Sequence, residues 1–239
     1  LEISFVASEP HCVVFRGPKD ECLRVNLSAG NHSMLEQVLR GLEIEFETLP
    51  VLVIGDSKEI RLLTPRIALA RLLPTVYSFT NNRYGIARGT ESVRARFSSE
   101  IFRAMTCRPG AHHLSTAFLG LIESDSGPLL AERVVRAGNI EVRVKRYHIG
   151  SPLHRYHYTE QHATALNGEP LRRWARFETP VVCFDWRNPL RDDKGNRLSD
   201  EPLSDDYAGI WIDNPRRAKA LARDTFEWIE ALFARRGLR

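Results

Sequence analysis

The chain has 239 residues, 43% of them hydrophobic and 27% charged, and 34 Lys and Arg against 30 Asp and Glu leave a formal charge of +4. These proportions exclude a disordered tail, a collagen-like repeat and a disulfide scaffold. No apolar stretch reaches the ~18 residues of a membrane span, and LEISFVASEP lacks the basic start and apolar run of a secretory signal. The pI is about 9.0, yet the basic residues are spread along the chain and interleaved with acids, so no nucleic-acid footprint is expected. Cys12, Cys22, Cys107 and Cys183 form no CxxC pair and read as free thiols of a reducing cytoplasm.

Residues 1–30 read as short strands, with HCVVF and ECLRVNL flanking the turn residues of RGPKD. Ser33 to Arg40 predicts a short helix closed by Gly41. LEIEFE alternates apolar and acidic residues and predicts a half-buried strand. LPVLVIG is a continuous apolar run, which predicts a strand covered on both faces. Thr64 to Leu73 predicts a helix stopped by Pro74. PTVYSFTNNRYG predicts a strand running into a loop at Asn81-Asn82. The next helix is better marked: Thr90 can cap it, and Val93, Phe97, Ile101 and Met105 recur every four residues.

HLSTAFLGLIE, PLLAERVVRA and NIEVRVKRYHIG then predict three strands, and ETPVVCFDWRN another. RDDKGNRLSDEPLSDDYA is polar and aperiodic, the pattern of a long loop. In the last element Asp213 or Asn214 caps a helix with Pro215 in its first turn, an apolar stripe runs from Ala218 to Phe233, and Gly237 closes it. Strands that outnumber helices without strict alternation predict an α+β fold.

Three segments could carry chemistry. GDSKEIR follows an apolar strand; Gly55 and Ser57 allow close backbone approach to a phosphate and Lys58 supplies a compact cation. It is not a Walker sequence, and taken alone a plain hairpin turn with a surface lysine is the commoner source of such a segment. KRYHIGSPLHR brings Lys145, Arg146, the Gly150-Ser151 turn and Arg155 within eleven residues, an anion cradle or a basic surface hairpin. FDWRNPL and the acid-rich RLSDEPLSDD form the third: Arg187 could hold a carboxylate, and Asp200, Glu201, Asp205 and Asp206 a metal, an amine or solvent alone. His148, His154, His157 and His162 match no zinc spacing, and no GxSxG elbow is present.

The order of these pieces resembles the SAICAR synthetase family over about residues 50 to 239. Gly55, Asp56, Ser57 and Lys58 stand for the family's GKxK loop. Glu141, Lys145, Gly150, Ser151 and Arg155 match a P-x-E-x-V-x-R strand that runs into a Gly-Ser turn and a distal Arg. Phe184, Arg187, Asn188, Asp200 and Pro202 look similar to an F-x-K-x-D segment and an acidic loop before a long helix. Asp56 replaces the first loop lysine and Lys145 an arginine. The family's D-x-K-x-E-F-G and D-E-x-x-P-D-x-R segments, which supply magnesium carboxylates, have no counterpart among these 239 residues.

The resemblance implies a two-lobed ATP-binding fold, with residues 1–50 as an N-terminal extension, 51–138 as a nucleotide-binding lobe and 139–239 as a substrate-binding lobe. It implies ATP and Mg2+ as cofactors and amide formation through an acyl phosphate. Gly55, Ser57, Lys58 and Glu141 would serve the nucleotide; Lys145, Gly150, Ser151 and Arg155 would bind the acceptor; Arg187 and Asp200 would be catalytic, and the metal ligands stay unassigned. The implied partners are a carboxylated azole ribonucleotide and an amino acid such as aspartate, in the cytoplasm, with homo-oligomerisation left open. The departures suit a specialised relative, as in nucleoside-antibiotic pathways; a non-catalytic nucleotide-binding member is the alternative.

Overall fold

The computed structural model describes residues 4–9, 12–16, 22–26, 37–39, 41, 44–78, 83–106, 116–136, 138–149, 164, 168–170, 172–195 and 198–238. The chain divides into two compact units, one of Leu1–Phe79 with Arg83–Arg136, the other of Thr80–Asn82 with Ala137–Arg239.

In the first unit, β1 (Ser4–Glu9), β2 (Cys12–Arg16) and β3 (Cys22–Asn26) form an antiparallel meander. A five-stranded antiparallel sheet follows. It contains β4 (Val51–Ile54), β5 (Lys58–Thr64), β6 (Ile67–Leu72), β9 (Phe118–Ser124) and β10 (Gly127–Arg133), in the order β4-β5-β6-β10-β9. Between β6 and β9 come the hairpin β7 (Thr75–Ser78) with β8 (Arg83–Ile86) and the helix α1 (Thr90–Thr106).

Period-two alternation sends the central strands to both sides of the sheet. Ile67, Leu69, Leu129 and Ala131 pack on one side with Val38, Leu39, Phe46, Leu119 and Ile122. Ala70, Leu121 and Leu130 pack on the other with Ala95 of α1, where Phe102 stacks on Phe118 at 5.3 Å between ring centroids.

Three expectations for this unit are corrected. The segment from Thr64 to Leu73 is not a helix: Thr64 Oγ1 accepts from the Arg66 and Ile67 N–H groups at 3.2 and 3.0 Å, turning the chain into β6. β6 is a central strand covered on both faces, so its apolar run carries no period that separates strand from helix. In LEIEFE, residues 42 and 43 lie outside the described residues, Ile44 and Glu45 are not in a strand, and a 3-10 turn spans Phe46–Thr48. Its Phe46 is buried, and the Arg71 and Arg61 guanidiniums lie 4.4 and 5.3 Å from the ring centroid. The run of LPVLVIG is not covered on both faces either. β4 is an edge strand whose four apolar side chains are all exposed, Ile54 by 69%. The Ser33–Arg40 helix is seen at residues 37–39, and the remainder lies outside the described residues.

In the second unit, β11 (Ile140–Tyr147), β12 (Arg176–Trp186) and β13 (Glu201–Leu203) form an antiparallel sheet in that order. The segment expected as loop therefore contains β13 and the single turn α2 (Asp205–Ala208), capped by Ser204. The long helix α3 (Pro215–Ala234) begins as expected: Asn214 Oδ1 accepts from the Arg217 N–H at 2.9 Å, and Pro215 opens the first turn. α3 packs on the sheet with Trp228 buried. No helix among the described residues is long and apolar enough to cross a membrane.

Candidate functional site

The GDSKEIR segment is the β4–β5 hairpin. The Gly55 N–H donates to the Lys58 carbonyl at 2.9 Å and closes the turn, so that N–H serves the hairpin itself. The Ser57 carbonyl accepts from the Leu73 N–H at 2.9 Å, and the Asp56 carbonyl accepts from the Thr75 hydroxyl. These bonds anchor the tip to the chain after β6 and leave the Ser57 and Lys58 side chains exposed.

Below the tip lies a charged network. Glu59, buried, accepts from Arg61 at 2.6 Å and Arg71 at 2.7 Å. Arg71 reaches Glu47 as well, while Arg61 donates to the Glu47 and Leu49 carbonyls at 2.6 and 2.9 Å. The Arg71 hydrogen bond holds the Glu59 carboxyl below its ordinary range against the opposing effect of burial. This network ties the Phe46 turn to β5 and β6, a structural role beneath the exposed lysine.

The second unit carries a polar sheet face. Alternation puts Glu141, Arg143 and Lys145 on one side of β11, and the antiparallel register sets Glu141 opposite Asp185, Arg143 opposite Cys183 and Lys145 opposite Val181. Asp185 is 1% exposed and accepts from Arg143 Nε at 2.6 Å. Glu141 lies 3.9 Å from Arg143 Nε and 3.8 Å from Arg187 Nε. Lys145 Nζ donates to the Ile149 carbonyl at 2.9 Å, on the side where the chain runs toward Gly150.

The opposite side of β11 belongs to packing. Arg146 donates to Glu230 of α3 through Nε at 2.9 Å and Nη2 at 2.5 Å, and to the Glu178 carbonyl at 2.7 Å. The alternation that makes Lys145 a site candidate therefore makes Arg146 a buried structural cation.

Arg187 is exposed, but its backbone is fastened on both sides. Its N–H donates to the Asn139 carbonyl at 2.9 Å, and its carbonyl accepts from Asn139 Nδ2. Asp200 is placed next door, where Oδ1 accepts from the Asn188 N–H at 2.9 Å. Buried Asn188 donates to the Ser199 carbonyl at 3.3 Å and accepts from the Leu190 N–H at 3.0 Å. Asp200 thus shapes the turn that presents Arg187, while the Glu141–Arg187 contact brings two of the predicted residues together. Gly150, Ser151 and Arg155 lie outside the described residues, as do His154, His157 and His162. Among the described residues no group of three or more His, Cys, Asp or Glu side chains could hold a metal ion, so no step is assigned to magnesium.

Sequence reasoning missed Arg143 and Asp185 as members of this face. The alternation in EVRVK places Arg143 beside Glu141, but only the β11–β12 register supplies Asp185 as its partner.

No family model matches the sequence, and no curated protein does. Solved structures match the fold. A type-2 SAICAR synthetase in complex with ADP superposes with a TM-score of 0.58 at 18% identity, covering 78% of this chain and 70% of that one. The phosphoribosylaminoimidazole-succinocarboxamide synthase of Ehrlichia chaffeensis gives 0.56 at 17% identity over 77% and 69%. The SAICAR synthase of Saccharomyces cerevisiae complexed with SAICAR gives 0.55 at 15% identity over 77% and 64%. The chain has the fold of the SAICAR synthetases, α+β with antiparallel sheets.

Proposed function

We propose that this protein is a cytoplasmic ATP-dependent carboxylate–amine ligase, a divergent relative of the SAICAR synthetases that joins an amino acid to a carboxylated azole ribonucleotide. The observation that carries the reading is the shared fold, which in one neighbour holds ADP. The exposed hairpin tip at Ser57–Lys58 supports it.

In this reading Ser57 and Lys58, on the turn that Gly55 closes, bind the ATP phosphates. Lys145, with Gly150, Ser151 and Arg155, holds the 5′-phosphate of the acceptor, a dianion suited to a lysine, a Gly-Ser turn and a guanidinium fork. Arg187, presented by Asp200, neutralises carboxylate charge. The γ-phosphoryl group passes to a carboxylate oxygen of the acceptor and releases ADP. The amine nitrogen then attacks the acyl carbon, the C–O bond to phosphate breaks, and the amine loses a proton as phosphate leaves. This chain's contribution is positioning and charge compensation.

The test is calorimetric titration of ATP into the wild type and Lys58→Ala, with ADP release followed as acceptor carboxylates are added. Losing Lys58 should weaken ATP by about 1.5–3 kcal/mol, the scale of a charge-assisted hydrogen bond. Unchanged affinity would remove Lys58 from the site. Nucleotide binding without acceptor-dependent ADP release would leave the protein a nucleotide-binding member without ligase activity.

A further inference from the structure

On the polar face of β11 and β12, Glu141 and Asp185 are direct cross-strand partners. Two carboxylates in that relation repel unless each finds a cation. They find different ones, on opposite diagonals. Asp185 is closed off, 1% exposed and bonded to Arg143 Nε at 2.6 Å. Glu141 stands between two guanidiniums, 3.8 Å from Arg187 Nε and 3.9 Å from Arg143 Nε. Both separations exceed the length of an N–H···O hydrogen bond.

The face therefore holds one locked ion pair and one open pair. The side chain of Arg187 is 51% exposed, and among the described residues its ion pair is to Glu141. Its backbone, by contrast, is bonded to Asn139 in both directions, and Asn188 after it is buried and held by Asp200. A fixed backbone that carries an open carboxylate and an open guanidinium side by side is a preorganised receptor for a ligand bearing both charges.

We propose that Glu141 and Arg187 form the subsite for the amino acid substrate, Glu141 receiving the α-ammonium and Arg187 forking onto the α-carboxylate. An entering zwitterion would replace one loose ion pair with two charge-assisted hydrogen bonds of opposite sense. Asp185 neutralises Arg143 and so leaves Glu141 available for the ammonium. Lys145, four residues further along the same face, lies roughly 13 Å away at about 3.3 Å per residue, room for an acceptor held by its phosphate at one end and joined to the amine at the other. The inference rests on the ligase reading for the presence of an amino acid, and it moves Glu141 from the nucleotide to the amine.

The experiment is a chemical-shift titration of the intact chain, with a non-hydrolysable ATP analogue and magnesium present. The probes are L-aspartate and L-alanine, their N-acetyl derivatives, and β-alanine and ethylamine, which lack the α-carboxylate. The variants are Glu141→Gln and Arg187→Met, and affinity for the ATP analogue is measured for each. Glu141→Gln should weaken the better amino acid about tenfold or more while leaving its N-acetyl derivative unchanged. Arg187→Met should weaken the amino acid and its N-acetyl derivative while sparing the amine that lacks the carboxylate. Amino acid affinity unaffected by either variant, equal losses on every probe, or no binding of either amino acid to the wild type would overturn the subsite. If Glu141→Gln weakens the ATP analogue and spares the amino acid, Glu141 belongs to the nucleotide and the inference fails while the ligase reading stands. If the wild type binds an amino acid in this pattern but no ATP analogue, the subsite holds and the ligase reading fails.

Discussion

Replacing either partner of the Arg146–Glu230 pair should loosen the second unit, by amounts its geometry sets. Arg146 is 7% exposed. It is bonded twice to Glu230, donates to the Glu178 and Phe177 carbonyls at 2.7 and 3.4 Å, and has Glu227 at 3.6 Å. Breaking a buried pair from one side costs about 3–5 kcal/mol. Glu230 is 38% exposed, so water and Glu227 can serve the guanidinium in Glu230→Gln, and we expect a loss of about 1.5–3 kcal/mol. Arg146→Met strands two carbonyls and leaves a carboxylate that can hydrate, which predicts about 2–4 kcal/mol. The double variant should be less destabilised than the sum by about 1–2 kcal/mol, as for residues in direct contact. The assay is urea unfolding read by tryptophan fluorescence, because all four tryptophans, Trp174, Trp186, Trp211 and Trp228, belong to this unit. The refuting result is additivity within about 0.3–0.5 kcal/mol, which would mean that the pair does not join α3 to the sheet.

Acid should weaken both units. Hydrogen bonds from Arg71 to Glu59 and from Arg146 to Glu230 hold these carboxyls below their ordinary value of 4.5. A depressed carboxyl stabilises the fold above its unfolded pKa and loses that contribution as pH falls through the folded one. Urea midpoints should thus be level at neutral pH and drop below about pH 4.5, with a shallower drop in Glu59→Gln/Glu230→Gln. Leu129→Ala, at a fully buried position between β6 and β9, should cost about 2–5 kcal/mol by circular-dichroism melting. Leu52→Lys, on the exposed edge strand β4, should change stability by no more than about 0.5 kcal/mol; a larger loss would show that the strand is covered.

Local chemistry made much of this protein legible before any coordinates. The cap Asn214, Pro215 and the apolar stripe behind them specify α3, because caps and helical periods act within a few residues. α1 is a helix as expected, but Val93 and Phe97 of its four-residue series are exposed, and Ala95 and Phe102 pack on the sheet instead. NIEVRVKRY reads as a strand from its local pattern, but the division its pleat makes, with Glu141, Arg143 and Lys145 on one side and Arg146 on the other, was not drawn from the sequence, which grouped Lys145 with Arg146. The order of short motifs sufficed to point to the SAICAR synthetase fold.

What tertiary structure decided is who covers whom. VLVI and IALARL are both apolar runs, yet one lies at a sheet edge in solvent and the other at its centre. That difference is set by β10 and α1, distant in sequence, which cover β6 and leave β4 with β5 as its partner. LEIEFE has a strand's alternation, but Arg61 and Arg71 draw its Phe46 and Glu47 into a 3-10 turn on the sheet. The site shows the same division. The residues named from sequence supply the charges, whereas the β11–β12 register chose Asp185 to lock Arg143 and left Glu141 facing Arg187. Pairings between strands some forty residues apart depend on the register of the whole sheet, and no local pattern encodes them.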